Sequence, residues 1–206
     1  MVSMKQLLTG GTFIEIRRLS PELCDDYLRF FDETPHDDNR DESKCYCVCW
    51  SAADSTGRDF SSAEKRRALA EEYVMRGDIR GYLAYENGRA IGWCNAGNRD
   101  DYYACHAGRM YLEPLRALYP PQERVKSVYC FVVAPEWRRH GVAAALLERV
   151  CEDARAEGFD AVEAYPIAQF VSEQADYMGP AALYEGQGFA VWRTLGDRLI
   201  VRKALK

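Results

Sequence analysis

The chain has 206 residues with 27 Lys and Arg against 32 Asp and Glu, a net charge of −5, and this balance argues against a nucleic-acid binder, which carries a basic stripe. Hydrophobic residues at 48% and charged residues at 29% describe an ordinary soluble globule. The absence of any Gly/Ser tract, Pro-rich run or repeat points to one domain over residues 1–206. Phe13 to Arg18 alternates like a strand, and Ser20-Pro21-Glu22 opens a helix that reaches about Phe31. Glu33 to Lys44 is polar and acidic and reads as a mobile loop, followed by an extended piece from Cys45 to Trp50. Ser61 or Ser62 caps a helix that runs to about Arg76. Arg80 to Tyr85 and Arg89 to Ala96 flank Asn87-Gly88, the favoured type I′ turn, and form a hairpin. Asn98 to Gly108 reads as a polar segment, and Leu112 to Tyr119 as a short helix stopped by Pro120-Pro121.

Val125 to Val133 is a strongly apolar strand closed at Pro135. Behind it, Val142, Leu146, Val150 and Ala154 recur at steps of four beside Ala143, Leu147 and Cys151, the apolar stripe of a helix ending at Gly158. Phe159 to Tyr165 is a second buried strand, which completes a parallel βαβ unit. A helix over about Pro180 to Glu185 and a hairpin of Gly188 to Thr194 with Leu199 to Ala204 end the chain. The expected fold is α+β: a mixed, mostly antiparallel central sheet with one parallel βαβ unit and helices on both faces.

The passage from buried strand through Arg138-Arg139-His140-Gly141 into an amphipathic helix aims unpaired N–H groups and a partial positive charge at whatever lies beyond the strand. That arrangement suits a phosphate. Gly141 lets backbone approach a pyrophosphate, Ala143 and Ala144 keep the first turn narrow, and Arg138 and Arg139 add charge. Neither an NTP P-loop nor a dinucleotide Gly-x-Gly-x-x-Gly occurs.

Arg138-x-x-Gly141-x-Ala143 resembles the acetyl-CoA pyrophosphate loop of the GNAT N-acetyltransferase superfamily. Val132-Val133-Ala134-Pro135-Glu136-Trp137, Leu183-Tyr184-x-x-x-Gly188-Phe189, Glu163-Ala164-Tyr165-Pro166 and Gly179-Pro180 are similar to that family too. The resemblance implies the GNAT fold and an acetyltransferase that moves an acetyl group from acetyl-CoA to an amine of a small molecule or peptide, by direct attack through a tetrahedral intermediate. It implies that Phe131, Val132 and Val133 hold the pantetheine arm and that Arg138, Arg139, His140, Gly141, Val142, Ala143 and Ala144 hold the diphosphate. A backbone N–H near Phe131 or Val132 would stabilise the oxyanion. Tyr184 would protonate the departing thiolate. The base stays open between Glu163, Asp100, Asp101 and a water chain, with Glu163 carried as the catalytic candidate. Trp50, Asp101 and Tyr165 are the substrate candidates, a set suited to a small cationic amine. The alternative is a non-catalytic acyl-CoA-binding module of the same fold.

No metal is expected. Cys45, Cys47 and Cys49 have spacings too short for a zinc site, even with Cys105 and His106 added. With no apolar leader and no run of ~18 apolar residues, the chain is expected in the cytoplasm, away from membranes, with its eight cysteines reduced. Dimers are frequent among look-alikes, so a homodimer is compatible with the resemblance.

Overall fold

The computed structural model describes residues 4–7, 11–34, 44–120, 122–172 and 175–206. Most of the loop expected from Glu33 to Lys44 lies outside the described residues. The strands are β1 (Met4–Leu7), β2 (Phe13–Arg18), β3 (Gly81–Glu86), β4 (Arg89–Asn98), β5 (Val125–Val133), β6 (Ala161–Ala164), β7 (Ala190–Leu195) and β8 (Arg198–Ala204). They form one sheet in the order β1-β2-β3-β4-β5-β6-β8-β7. Every neighbouring pair is antiparallel except β5 with β6, which runs parallel over Val125–Val128 and Ala161–Ala164. The fold is therefore the α+β arrangement read from the sequence, with β1 as an additional edge strand.

The helices are α1 (Cys24–Glu33), α2 (Ala63–Arg76), α3 (His106–Tyr111), α4 (Val142–Ala156) and α5 (Ala181–Gly186). Each face of the sheet carries its own core. Tyr27 and Phe31 of α1 and Tyr73 and Val74 of α2 pack on one face around Trp93. Leu146 and Val150 of α4 and Tyr184 of α5 pack on the other around Val162. Ser62 caps α2 by accepting from the Lys65 N–H at 3.2 Å, and Gly77 ends that helix at φ 76°. Gly92 on β4 lets α4 sit close, because a Cβ there would stand 2.8 Å from Cγ1 of Val142.

Three local expectations are corrected. Cys45 to Trp50 is a run of turns, not an extended piece, with Tyr46 at φ 46° and Cys47 at φ 52° in the left-handed region. The polar segment after Asn98 folds into a 3-10 turn, Arg99–Tyr102, and then α3, whose start Cys105 caps by accepting from the Gly108 N–H at 3.2 Å. Leu112 to Tyr119, read as a short helix, is instead a 3-10 run over Glu113–Leu118.

Among the described residues no helix is long and apolar enough to cross a membrane.

Candidate functional site: two cavities on one strand

Strand β5 is where the site is built. Its register with β4 shifts between Asn95↔Cys130 and Ala96↔Val128, leaving Tyr129 as an extra bulged residue. The bulge breaks the alternation of side chains, so Tyr129 and Cys130 both enter the core beneath α1 and α2. Phe131 returns to the α4 face. Beyond Val128, β5 has no ladder with β6, and the two strands part. Ala134 donates to the Ile91 carbonyl of the β4 side at 2.9 Å. By alternation Val132 faces β4 as well, while Phe131 and Val133 turn their peptide groups into the gap. The N–H of Phe131 is engaged there by the Tyr177 carbonyl at 2.7 Å.

A cleft of about 600 Å³ opens at this gap. Its walls include Phe131, Val132, Val133, Arg138, Arg139, Gly141, Val142, Ala143 and Ala144, nine of the ten residues expected at the cofactor. His140 is the exception. It does not line the cleft; its ring lies edge-on to Trp137, which does, and its Nδ1 is 2.8 Å from the Arg138 carbonyl oxygen. Gly141 caps α4 at φ 91°, a conformation that would strain a side chain, and no side chain caps the helix. The first N–H returned within the helix is that of Ala145, to the Gly141 carbonyl at 3.0 Å. The amides of Val142, Ala143 and Ala144 come before the first intrahelical bond and belong to the orphan donors of a helix start.

The opposite wall comes from Phe170, Asp176, Gly179, Pro180, Ala182 and Leu183, which the sequence reading did not assign. Asp176 is 6% exposed, and its Oδ1 has no hydrogen-bond partner among the described residues. Gly179 sits at φ 88°, where an added Cβ would stand 3.1 Å from the Phe131 ring.

A second cavity of about 340 Å³ lies under the other face of β5, lined by Cys45, Cys47, Cys49, Cys130, Tyr177 and His106, with Trp50, Ala107, Met110 and Tyr111. A third of about 210 Å³ adjoins it, sharing Trp50, Met110 and Tyr111 and adding Tyr165, Met178 and Arg198 among others. Trp50 is held by stacking on Tyr129, with ring centroids 4.6 Å apart and planes 13° from parallel. Asn95 fixes the turn beneath it, donating to the Trp50 carbonyl at 2.8 Å. Burial pushes the thiols of Cys45 and Cys49 up, the latter to about 11. The thiol of Cys130 is raised by its hydrogen bond with Cys47 and by burial. These three sulfurs are neutral around pH 7.

The segment Asp176–Gly179 divides the site. Asp176 and Gly179 face the cleft, while Tyr177 and Met178 face the cavities.

The expected substrate residues separate. Trp50 lines both cavities and Tyr165 lines the smaller. Asp101 lines neither; it is ion-paired to Arg80 and accepts from Asn98 Nδ2 at 3.2 Å. Asp100 likewise pairs with Arg99, at 3.2 Å. Tyr184 is fully buried on α5 and donates its hydroxyl proton to the Met178 carbonyl. Its ring lies 6.4 Å from that of Phe131, and burial raises its pKa well above the usual phenol value.

Glu163 has no exposure and lines no cavity described above. Its Oε1 accepts from Tyr119 at 2.8 Å and Tyr165 at 2.6 Å, and its Oε2 is ion-paired with Arg202 Nε at 2.8 Å. Burial raises its pKa against the opposing pull of Tyr165, Arg202 and Tyr119. Such a carboxylate has no open approach for a substrate amine, so its position does not suit direct proton abstraction.

Among the described residues no three His, Cys, Asp or Glu side chains are grouped to hold a metal ion.

Residues 20–189 match the family model described as Acetyltransferase (GNAT) family. No curated protein matches the sequence. Among solved structures, the GNAT domain of S. lividans PAT is similar at TM-score 0.57 and 18% identity, over 98% of this chain and 96% of that one. The ribosomal-protein-S5-alanine acetyltransferase of Vibrio fischeri is similar at 0.56 and 11%, over 100% and 98%. The PaiA N-acetyltransferase of Thermoplasma acidophilum, solved in complex with coenzyme A, is similar at 0.53 and 16%, over 93% and 98%.

Proposed function

The chain belongs to the acetyltransferase (GNAT) family, and from that premise we propose that it moves an acetyl group from acetyl-CoA to an amine, with the cleft holding the coenzyme and the cavities under Cys130 holding the acceptor. The observation that carries this reading is the uncapped start of α4 opening into the cleft beside Arg138 and Arg139. Three consecutive orphan amides, a helix dipole and two guanidinium groups are the donor set a diphosphate needs. The PaiA protein, of the same fold, binds coenzyme A.

The pantetheine arm runs along the edge of β5, where Val133 turns its peptide group into the gap. The N–H of Phe131 becomes available to it, or to the oxyanion, when the Tyr177 carbonyl moves aside. Asp176 offers an unused acceptor oxygen on the facing wall, suited to an amide N–H of the arm.

Attack of the amine on the thioester carbonyl forms the C–N bond and an oxyanion, and the nitrogen gives up its proton through water. Collapse breaks the C–S bond and leaves a thiolate that takes a proton. Burial keeps the Tyr184 phenol protonated, the form a general acid requires; like Glu163 it has no exposure and lines none of the cavities, so it acts only once its hydroxyl leaves the Met178 carbonyl and turns towards the cleft. Glu163 acts as a positioning residue through Tyr165, whose ring walls the smaller cavity. Asp100 and Asp101 are engaged by Arg99 and Arg80 and take no part.

The function is tested by thiol release from acetyl-CoA across a panel of amines. Tyr184→Phe retains acetyl-CoA affinity and lowers kcat by about 10²-fold, the usual contribution of a general acid. A variant with unchanged kcat removes Tyr184 from the reaction.

A further inference from the structure

The two cavities under β5 also carry information about the acceptor itself, a question that rests on the acetyltransferase reading above. Among the described residues their combined walls contain no Asp or Glu. The neutral thiols of Cys45, Cys49 and Cys130 supply no negative charge either. An alkyl ammonium buried there would lack a counter-charge, which is costly in an apolar site. The wall chemistry is instead aromatic and thioether: Trp50, Tyr111, Tyr165 and Tyr177 with Met110 and Met178. Trp50 and Tyr111 are stacked with centroids 6.0 Å apart, so a flat body fits against rings already aligned.

Arg198, at the start of β8, is the charged side chain of the smaller cavity. One of its terminal nitrogens, Nη1, donates to the Tyr165 carbonyl at 3.2 Å and contacts the Met178 sulfur at 3.5 Å. Its guanidinium lies 5.5 Å from the Tyr111 ring centroid. No carboxylate of the described residues lies within ion-pairing distance of it, although most arginines nearby, such as Arg99 and Arg202, have one. Those neutral contacts anchor Nη1 while Nε and Nη2 keep donors in hand, half of a fork that matches a carboxylate.

We propose that the acceptor is an amine on an aromatic body that also carries a carboxylate, with Arg198 pairing the carboxylate in the smaller cavity and the amine directed past Cys130 towards β5. An aryl amine in this orientation arrives unprotonated at neutral pH, so the absence of a carboxylate base in the walls is no obstacle to its attack. The reaction upstream must therefore supply an aminobenzoate-type compound, and the product is its N-acetyl derivative.

The test uses matched aryl-amine pairs: 4-aminobenzoate with aniline, and 4-aminophenylacetate with 4-methylaniline, alongside spermidine as a polycation. Coenzyme A binding is measured by calorimetry on the same preparation. The full chain is expected to prefer the carboxylate member of at least one pair at least tenfold in kcat/KM. Arg198→Gln is expected to erase that preference, and Arg198→Lys to keep part of it. Equal rates within both pairs, faster turnover of spermidine, or acetylation of no member of either pair by protein that binds coenzyme A each overturn the proposal. A preference that persists in Arg198→Gln overturns the role of Arg198. Absence of coenzyme A binding instead removes the acetyltransferase reading itself. If Arg198→Gln fails to fold, Arg198→Lys against Arg198→Met, each checked by circular dichroism, reads the same preference.

Discussion

The cleft and the cavities share one strand but are built from different material. The cleft presents backbone: the start of α4, the outward peptide groups of β5 and the left-handed Gly141. Ten of its lining residues come from the one stretch Phe131–Ala144. The cavities present side chains, gathered from the Cys45–Trp50 turns, α3, the Tyr177–Met178 segment and β8. A site made of backbone tolerates little variation in the few residues that shape it. A site made of side chains can change its ligand by single substitutions without altering the fold.

The sharpest way to break this comparison is to spoil the backbone half alone. Gly141→Val forces a β-branched residue into φ 91° and puts its side chain at the helix start. Coenzyme A affinity is expected to fall about a hundredfold, a loss of about 3 kcal/mol, read by calorimetry. Unaltered affinity would show that the phosphates lie elsewhere.

Acid should separate the two halves next. The far end of α4 is tied to the sheet by Asp153, which accepts from Arg149 at 2.8 Å, Arg18 at 2.8 Å and Tyr82 at 3.0 Å. Burial pushes the Asp153 pKa up, but these hydrogen bonds outweigh it and the net shift is down. Glu157, bonded to Lys126 at 2.6 Å and to Arg18, is lowered for the same reasons. A carboxylate with a depressed folded pKa stabilises fully above its unfolded value of about 4 and loses that stabilisation as pH falls through the folded value. Denaturant midpoints should therefore drop as pH falls below about 4, and Asp153→Asn should flatten that dependence while costing about 1–2 kcal/mol at pH 7. A pH profile unchanged by the substitution would contradict the role of these pairs. Among the described residues the cavity walls hold no carboxylate that would add to this acid dependence.

The smallest expected effect sharpens the side-chain half. Met110 is 59% exposed and stands between the two cavities. Met110→Ala should change acceptor KM by about three- to tenfold through lost contact, leave coenzyme A affinity intact, and alter stability by less than about 0.5 kcal/mol, as at an exposed site. A change in coenzyme A affinity would mean that the two halves are not separable.

The same contrast explains what could be read before the structure. Strand β5, the loop and α4 carry local signals: an apolar run, a proline, Gly141 and a stripe at steps of four. Nine of the ten cofactor residues taken from that stretch line one cleft. The bulge at Tyr129 leaves no such trace, because the sequence there is an uninterrupted apolar strand. The alternating cysteines suggested an extended segment, whereas Tyr46 and Cys47 take left-handed turns, held by Tyr27 donating to the Tyr46 carbonyl and Asn95 donating to the Cys47 sulfur. Asp101 seemed suited to a cationic substrate because its partner Arg80 lies 21 residues away in sequence and meets it only in the folded sheet. Arg198 carried no signal at all: its meaning comes from the aromatic walls and from the missing carboxylate. The sequence signal nearest Asp176 and Tyr177 is Gly179-Pro180, a turn pair before a helix, and in the structure Gly179 is left-handed at φ 88°.

The central claim is that the amides opening α4 grip the coenzyme's diphosphate. Amide chemical shifts followed during titration with coenzyme A test it most directly. The account predicts the largest displacements at Gly141, Val142, Ala143 and Ala144, saturating with the calorimetric isotherm. Saturable binding that leaves those four resonances in place would contradict it.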